Sequence, residues 1–307
     1  MKDLDVLVIG RSCLDYIAVV ERFPSEDRKE ALDFWLKEGG GQGGTASCCI
    51  AKLGGRVAYI GKVGDDEAGR FCLERLKDFG VPTEKVEVVP GGRTPVAFIF
   101  VTRASGARTI IYEHNTLPRI VLDSSLREIV RGAAVVLLDP ETTYLAPNFL
   151  RDRPWPAKVV YDGERWREGI EEMMSLADYF IPTYDFLNAP ELGFRGRPLK
   201  ERMKALKARI NGELIVTAGE QGAFFLQEER LFQVAPPAVK AVDTIGAGDN
   251  FHAAFALAIS RGFILPEAVR FSVAVASLSC RDYGGRRGIP DWNEALKTAE
   301  ALSSRPL

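Results

Sequence analysis

Histidine is nearly missing from this chain: of 307 residues, only His114 and His252 carry an imidazole. A histidine-rich metal centre or a Ser-His-Asp triad therefore has little material to draw on. Cysteine is scarce and scattered. Cys13, Cys48, Cys49, Cys72 and Cys280 form an odd set without a C-x-x-C pair, which argues against a disulfide framework and against a zinc site. Excess charge of one sign is also lacking, since 40 Lys and Arg face 42 Asp and Glu for a net charge of −2. That balance offers no electrostatic case for nucleic acid or an anionic membrane, so small molecules are the expected partners. No apolar run reaches the roughly 18 residues of a membrane span. Met1-Lys2-Asp3-Leu4-Asp5 lead into a strand without a signal-peptide core, and a cytoplasmic location is expected. Finally, no G-x-x-x-x-G-K-[ST] occurs, which excludes a Walker-type phosphate loop.

What the chain does contain is Asp243-Thr244-Ile245-Gly246-Ala247-Gly248-Asp249, followed by the nearly uncharged, Ala-rich run Asn250 to Ile259. The run reads as a buried helix that ends near Gly262, with the glycines opening it. Unpaired N–H groups and the positive end of the helix dipole point outward there, and Gly246 and Gly248 allow an anion to approach. Asp249 would sit at the same end, able to take a proton from a hydroxyl while the neighbouring charge is stabilised. The simpler alternative is that Asp243 or Asp249 only caps the helix and the glycines only make the turn. His252, on the apolar helix, reads as a packed or hydrogen-bonded core residue.

The first of the two glycine segments along the chain, Glu38-Gly39-Gly40-Gly41-Gln42-Gly43-Gly44-Thr45, also precedes a helical pattern that closes at Gly54-Gly55. Gly39, Gly41 and Gly44 satisfy G-x-G-x-x-G, and Asp65 follows about twenty residues on, as in a dinucleotide fingerprint. That match is a decoy. The fingerprint needs a buried strand just before the glycines, and Asp33 to Glu38 is mixed and charged.

Short β-branched runs alternate with helical stretches along the chain. Strands are expected at Val6 to Ile9, Val57 to Ile60, Val135 to Leu138, Val159 to Tyr161, Tyr179 to Ile181 and Leu214 to Val216. Helices are expected at Thr45 to Leu53, Glu67 to Phe79, Ser124 to Arg131, Lys200 to Ala208, Gly248 to Arg261 and Pro266 to Cys280. Uninterrupted apolar strands between helices predict an α/β fold whose parallel sheet is covered on both faces. Ile17 to Val20 with Ala31 to Leu36, and Val96 to Thr102 with Thr109 to Glu113, read instead as antiparallel hairpins.

Gly10 with Asp15, the Gly39 to Thr45 turn, Gly61-Lys62-Val63-Gly64-Asp65-Asp66-Glu67-Ala68-Gly69 and Asp243 to Asp249 resemble, in order and spacing, the ribokinase-like (PfkB) carbohydrate kinases. Ser105 to Ile110 and Gly284-Gly285-Arg286-Arg287-Gly288-Ile289-Pro290 are most similar to the ketohexokinase and sulfofructose kinase branch. The resemblance implies a three-layer α/β/α domain over residues 1–307 with a mainly parallel central sheet. It also implies a small β-sheet lid, from about 11–38 and 95–114, that dimerises and closes over a sugar. Closure has a purpose, because water is itself an acceptor for the phosphoryl group.

Carried onto this chain, the resemblance makes Asp249 the catalytic base and Gly246, Ala247 and Gly248 the anion hole. Asp15 and Asp27 accept hydroxyls of the sugar, Gly40 and Gly41 pack near its face, and Arg108 reaches the transferring phosphate. Thr45 stands where relatives place an asparagine, which bears on the hydroxyls held. ATP is expected along Thr217, Gly219 and Gly222, with Ala274, Ser277 and Leu278 as an adenine wall. Asp243 implies a monovalent-cation loop, holding potassium or replaced in charge by Arg281 or Arg286. Magnesium is expected among the phosphates. Thr183-Tyr184-Asp185-Phe186 lacks the family's N-x-x-E element, which either places Asp162 or Asp185 in the magnesium water shell or weakens metal binding. The expected activity is ATP-dependent phosphorylation of a primary hydroxyl on a furanose or ketose. A nucleoside kinase on the same fold and a non-catalytic sugar- or nucleotide-sensing module are the alternatives.

Overall fold

A computed structural model describes residues 4–121, 123–151, 153 and 155–307. The expected lead of Met1-Lys2-Asp3 into the first strand lies outside these residues. The chain opens with β1 (Leu4–Ile9), β2 (Cys13–Val20), β3 (Phe34–Gly40), α1 (Gln42–Lys52), β4 (Val57–Gly64) and α2 (Glu67–Asp78). There follow β5 (Val86–Val89), β6 (Val96–Thr102), β7 (Arg108–Tyr112), α3 (Ser124–Gly132), β8 (Ala133–Leu138) and β9 (Lys158–Gly163). Next come α4 (Ile170–Leu176), β10 (Tyr179–Pro182), α5 (Leu199–Lys207), β11 (Glu213–Thr217), β12 (Ala223–Gln227) and β13 (Arg230–Val234). The last elements are α6 (Ala247–Ser260), α7 (Leu265–Ser279), α8 (Trp292–Glu300) and β14 (Ser304–Pro306).

Ten strands form one sheet in the order β14-β13-β12-β11-β10-β9-β8-β1-β4-β5. From β11 through β5 every pairing is parallel, whereas β12, β13 and β14 add an antiparallel edge. The period-two geometry of a strand explains why the central strands read as continuous apolar runs. Val6 and Val8 face one core with α1, α2, α6, α7 and α8, while Leu7 and Ile9 face the other with α4 and α5. All four are fully buried, each worth about 1.5–3 kcal/mol in transfer terms. The result is the three-layer α/β/α arrangement that the alternation of strands and helices predicts.

The two hairpins join into a separate four-stranded sheet, β3-β2-β6-β7, through a parallel β2–β6 pairing. Its inner face carries Ile17, Val19, Leu36, Ala97, Ile99 and Val101, packed on Ile245 of the second glycine segment. Its outer face exposes Trp35, Phe98 and Ile111. The strand expected at Ala31 to Leu36 pairs antiparallel with β2 as the hairpin reading has it, but it starts at Phe34 and runs on through Gly40. It alternates, with Leu36 and Glu38 inward and Lys37 more exposed, because it belongs to the small sheet and not to the buried parallel one.

Candidate active site

Helix α6 begins where Gly246 takes φ 69°, a left-handed value suited to glycine. The turn before it is shaped by Asp243, whose Oδ1 accepts the Ile245 N–H at 2.9 Å and whose Oδ2 accepts the Gly284 N–H at 2.8 Å. A Cβ on Gly246 would stand 2.7 Å from Gly285 Cα and 3.3 Å from Thr45 Cγ2. The two glycine segments therefore meet at Thr45 and Gly246, with Gly285 of the segment before α8 packed beside them, and Asn250 holds that segment by donating to the Gly285 carbonyl at 2.9 Å. Gly248 is exposed and Asp249 half-buried, so the first turn of α6 opens outward there, while the Ala247 N–H donates weakly to the Thr244 carbonyl at 3.4 Å. On the other side, Gly41 caps α1 with φ 82°, and a Cβ there would strike the Arg11 carbonyl at 2.4 Å.

Three titratable groups cluster behind this helix end. His252 sets Nδ1 2.7 Å from the Gly248 carbonyl and Nε2 3.0 Å from the Ile181 carbonyl, and its Nε2 lies 3.6 Å from Asp162 Oδ1. It is buried and hydrogen-bonded, as its place on an apolar helix predicts. Burial pushes Asp249 up to about 8, with the Asp162 charge adding to the rise and His252 opposing it. Asp162, at the carboxyl end of β9, is raised well above the usual carboxylate range, again by burial first. Burial lowers His252. Asp185 is exposed on the turn Tyr184–Asn188.

The acceptor residues separate. Asp15 is buried on β2 directly across from Glu38 on β3, with its carboxylate against Gly40, where a Cβ would meet Oδ2 at 2.0 Å. Cys13 Sγ donates to its Oδ1 at 3.1 Å, and burial pushes the group up to about 6. Asp27 is not brought to it: this residue is exposed in the loop between β2 and β3, with φ 59°. Arg108, on β7, donates from Nη1 to Thr244 Oγ1 at 2.7 Å and lowers the Asp243 carboxyl by its charge, whose net shift is still upward through burial.

Two expected substitutes for a cation at Asp243 lie elsewhere. Arg281 is held at the surface by both oxygens of Glu294, at 2.6 and 3.1 Å. Arg286 is fully buried under the first glycine turn and donates to the Gly40 carbonyl at 3.0 Å. The arginine whose charge acts on Asp243 is Arg108. Both Asp243 oxygens already accept backbone N–H groups, so its carboxylate fits a turn-shaping role better than that of a free metal ligand.

At the sheet's carboxyl edge, β11 ends at Thr217 and the chain turns through Gly219–Gln221 to Gly222. Gly222 has φ 79° and approaches the Val234 carbonyl so closely that a Cβ would lie 2.0 Å from it. On α7, Ser277 is partly exposed, but Ala274 is wholly buried in the core and offers no surface to a base. The expected adenine wall is corrected accordingly, since small core residues on a helix carry the same sequence signal as a ligand wall.

A cavity of about 760 Å³ opens at the carboxyl ends of β1 and β8, lined among others by Arg11, Lys62, Arg119, Glu141, Arg167 and Glu168. Asp139, just after β8, links it to the cluster: its Oδ2 accepts the Arg11 N–H at 2.5 Å, and its charge raises Asp249. Sequence reasoning passed over Asp139. Its signal was a carboxylate directly after a fully apolar strand, at the edge where open α/β sheets place ligands.

A family model described as pfkB family carbohydrate kinase matches residues 3–292. The chain is 30% identical over 304 residues to a ribokinase of Lactococcus lactis subsp. lactis (strain IL1403), covering 97% of each. It is 28% identical over 295 residues to a ketohexokinase of Mus musculus, covering 91% of this chain and 97% of that one. Among solved structures, Arabidopsis thaliana ribokinase complexed with ribose and ATP superposes with a TM-score of 0.79 at 27% identity, covering 97% and 99% of the two chains.

Proposed function

This chain belongs to the pfkB family of carbohydrate kinases and is an ATP-dependent sugar kinase, and from that premise we propose that it phosphorylates a primary hydroxyl of a furanose or ketose. One observation carries the reading: the start of α6, with Asp249 in its first turn, abuts the first glycine segment at Thr45 and the segment before α8 at Gly285. Nucleophile activation and charge stabilisation are thus set side by side, which is most of what phosphoryl transfer asks of a protein.

In this reading Asp249 accepts the proton of the attacking hydroxyl, and the Gly246, Ala247 and Gly248 amides receive the charge of the transferring phosphoryl group. Asp15 accepts acceptor hydroxyls beside Gly40 and Gly41, and the mixed acidic and basic lining of the adjacent cavity suits a polyol. Asp27 would join only if its loop folds inward when the small sheet closes as a lid. ATP lies along Thr217, Gly219, Gly222 and Ser277, with Arg108 on its terminal phosphates. Magnesium would be carried by the phosphates and water, with Asp162 nearby. When bound, that ion neutralises phosphate charge. A homodimer through the outer face of the small sheet and a cytoplasmic location complete the proposal.

The test is an ADP-coupled screen of ketoses, pentoses and nucleosides. Acceptor-dependent ADP release with a ketose or furanose is expected. Turnover of nucleosides alone would instead make this a nucleoside kinase, and calorimetric binding without ADP release for any acceptor would make it a sensing module.

A further inference from the structure

Asp15 and Glu38 are directly opposed residues of the antiparallel β2–β3 ladder, so their side chains share one face. Both are buried, at 6% exposure each. Like charges directly across a ladder are destabilising, and burial sharpens the penalty. Across the Gly39-Gly40 backbone from them lies Arg286, 1% exposed, arriving from the segment between α7 and α8 and forming no ion pair with either carboxylate. Its Nη2 donates to the Gly40 carbonyl at 3.0 Å, across 246 residues of chain. A Cβ on Gly39 would meet its Nη1 at 2.6 Å, and one on Gly44 its Nη2 at 2.8 Å. Three glycines of the first turn thus leave room for two buried side chains: Gly40 for the Asp15 carboxylate, and Gly39 and Gly44 for the Arg286 guanidinium. Arg286 Nε and Nη1 have no hydrogen-bond partner among the described residues, so this cation is held for its charge more than for its bonds.

We propose that Arg286 is a positioning residue for the acceptor: it keeps Asp15 an ionised carboxylate beside Glu38, ready to accept sugar hydroxyls. The inference rests on the reading of Asp15 as an acceptor ligand. A protonated Asp15 would lose acceptor capacity, and affinity would fall with no change at the reacting atoms.

The charged and titratable groups around Asp15 include Cys72 of α2, which feels its charge. Cys13 lies on its own strand, Glu38 on β3, and Arg11 on the β1–β2 connection. Around Arg286 stand Cys48 of α1, Cys72 of α2, Glu38 and Asp15. Arg287 Nε sits 3.6 Å from Glu38 Oε2, half-exposed at the rim. Burial and Glu38 push Asp15 up, while Cys13, Arg286 and Arg11 hold it down. Loss of the Arg286 charge removes one of two restraining cations.

The test measures acceptor KM and kcat from pH 5 to 9 for wild type, Arg286→Met, Arg286→Lys, Asp15→Asn and the Arg286→Met/Asp15→Asn double variant, with circular dichroism as the fold control. In Arg286→Met the pH below which acceptor KM climbs, its acid limb, is expected to move up by about one pH unit, so that KM is about tenfold higher at pH 5 and only about twofold higher at pH 7, with kcat within about twofold. Arg286→Lys should restore much of the limb. If Arg286→Met fails to fold, the lysine variant carries the test through a smaller upward shift of the same limb. In the Asp15→Asn background, Arg286→Met should add little to KM. Additive losses in the double variant, or a limb that stays in place in every folded Arg286 variant, would overturn the proposal. Absence of turnover by the wild type with any acceptor would fault the kinase reading itself, a different result.

Discussion

Arg108 on β7 and Thr244 in the turn before α6 are joined by a 2.7 Å hydrogen bond that spans 136 residues. The small sheet is thereby fastened to the loop that begins the helix of Asp249. Two roles for Arg108 give different numbers. If it only latches the sheet, removing either partner of this exposed bond costs at most about 1 kcal/mol. If its charge acts on ATP phosphates, only the arginine matters, and a charge-assisted contact is worth roughly 1.5–3 kcal/mol. We expect Arg108→Ala to lower kcat/KM for ATP at least about tenfold and Thr244→Ala less than about threefold. Equal losses would reduce Arg108 to the latch.

Gly246 and Gly248 separate the turn's shape from its opening. Alanine at 246 must adopt φ 69° and fit a Cβ 2.7 Å from a backbone carbon, so neither strain nor overlap is relieved cheaply. Nothing lies within 4 Å of a Cβ at 248. Gly246→Ala should therefore lower the melting temperature by several degrees, whereas Gly248→Ala should melt like wild type yet lose about tenfold or more in kcat, by crowding the approach to the amides. A fully active Gly248→Ala would remove the anion hole from that place.

The contrast between these glycines also marks what was legible beforehand. β1 and β8 could be read because strands buried on both faces need unbroken apolar runs, and α6 because its Ala-rich stretch begins at a glycine turn. The register of β3 through Gly39 and Gly40 could not, since those glycines answer to Asp15 and Arg286, which are distant in sequence. Only the fold shows that pairing. The antiparallel edge β12–β14 was also missed, as were α4 and α8. For α8 the signal existed, because Asp291 caps it by accepting the Glu294 N–H at 2.9 Å. The pairing of Asp162 with His252 had no sequence trace, because parallel-sheet topology brings the end of β9 to α6.

Asp249 should reveal itself by pH. Its carboxyl, pushed from an ordinary 3.8 up to about 8, must lose its proton before it can serve as base, so kcat/KM should rise through about pH 8. Asp162→Asn removes a neighbouring negative charge and should move that limb down. Asp249→Asn should cut kcat by about 10²-fold or more. Between 3.8 and 8 the native state holds a proton that the unfolded chain has released. This contribution to stability is whole below 3.8 and is lost as pH rises through 8. Asp249→Asn should consequently melt higher than wild type at pH 9 and gain nothing at pH 3.5. A melting curve that is parallel to wild type across that range would show that Asp249 is not held protonated by the fold.

The outer face of the small sheet gives the last prediction. Tyr16 stacks on Phe98 at 5.5 Å and leans on Trp35 at 6.2 Å, and in register beside them Phe98 pairs with Ile111. Trp35 is 60%, Phe98 49% and Ile111 57% exposed, and with Tyr16 between the first two they form a continuous apolar row across four strands on a sheet whose other face is packed. A row of this kind on a chain of near-neutral charge favours pairing with an identical row, because a two-fold contact buries each residue twice. Sedimentation at micromolar concentration should give a dimer for wild type, and Phe98→Glu or Ile111→Glu should give a monomer, since a dimer would bury the new charge without a partner. The face points away from the core, so both variants should keep the wild-type far-ultraviolet spectrum. A wild-type monomer would assign no partner of its own kind to this face. A dimer that survives both substitutions would move the contact to another surface.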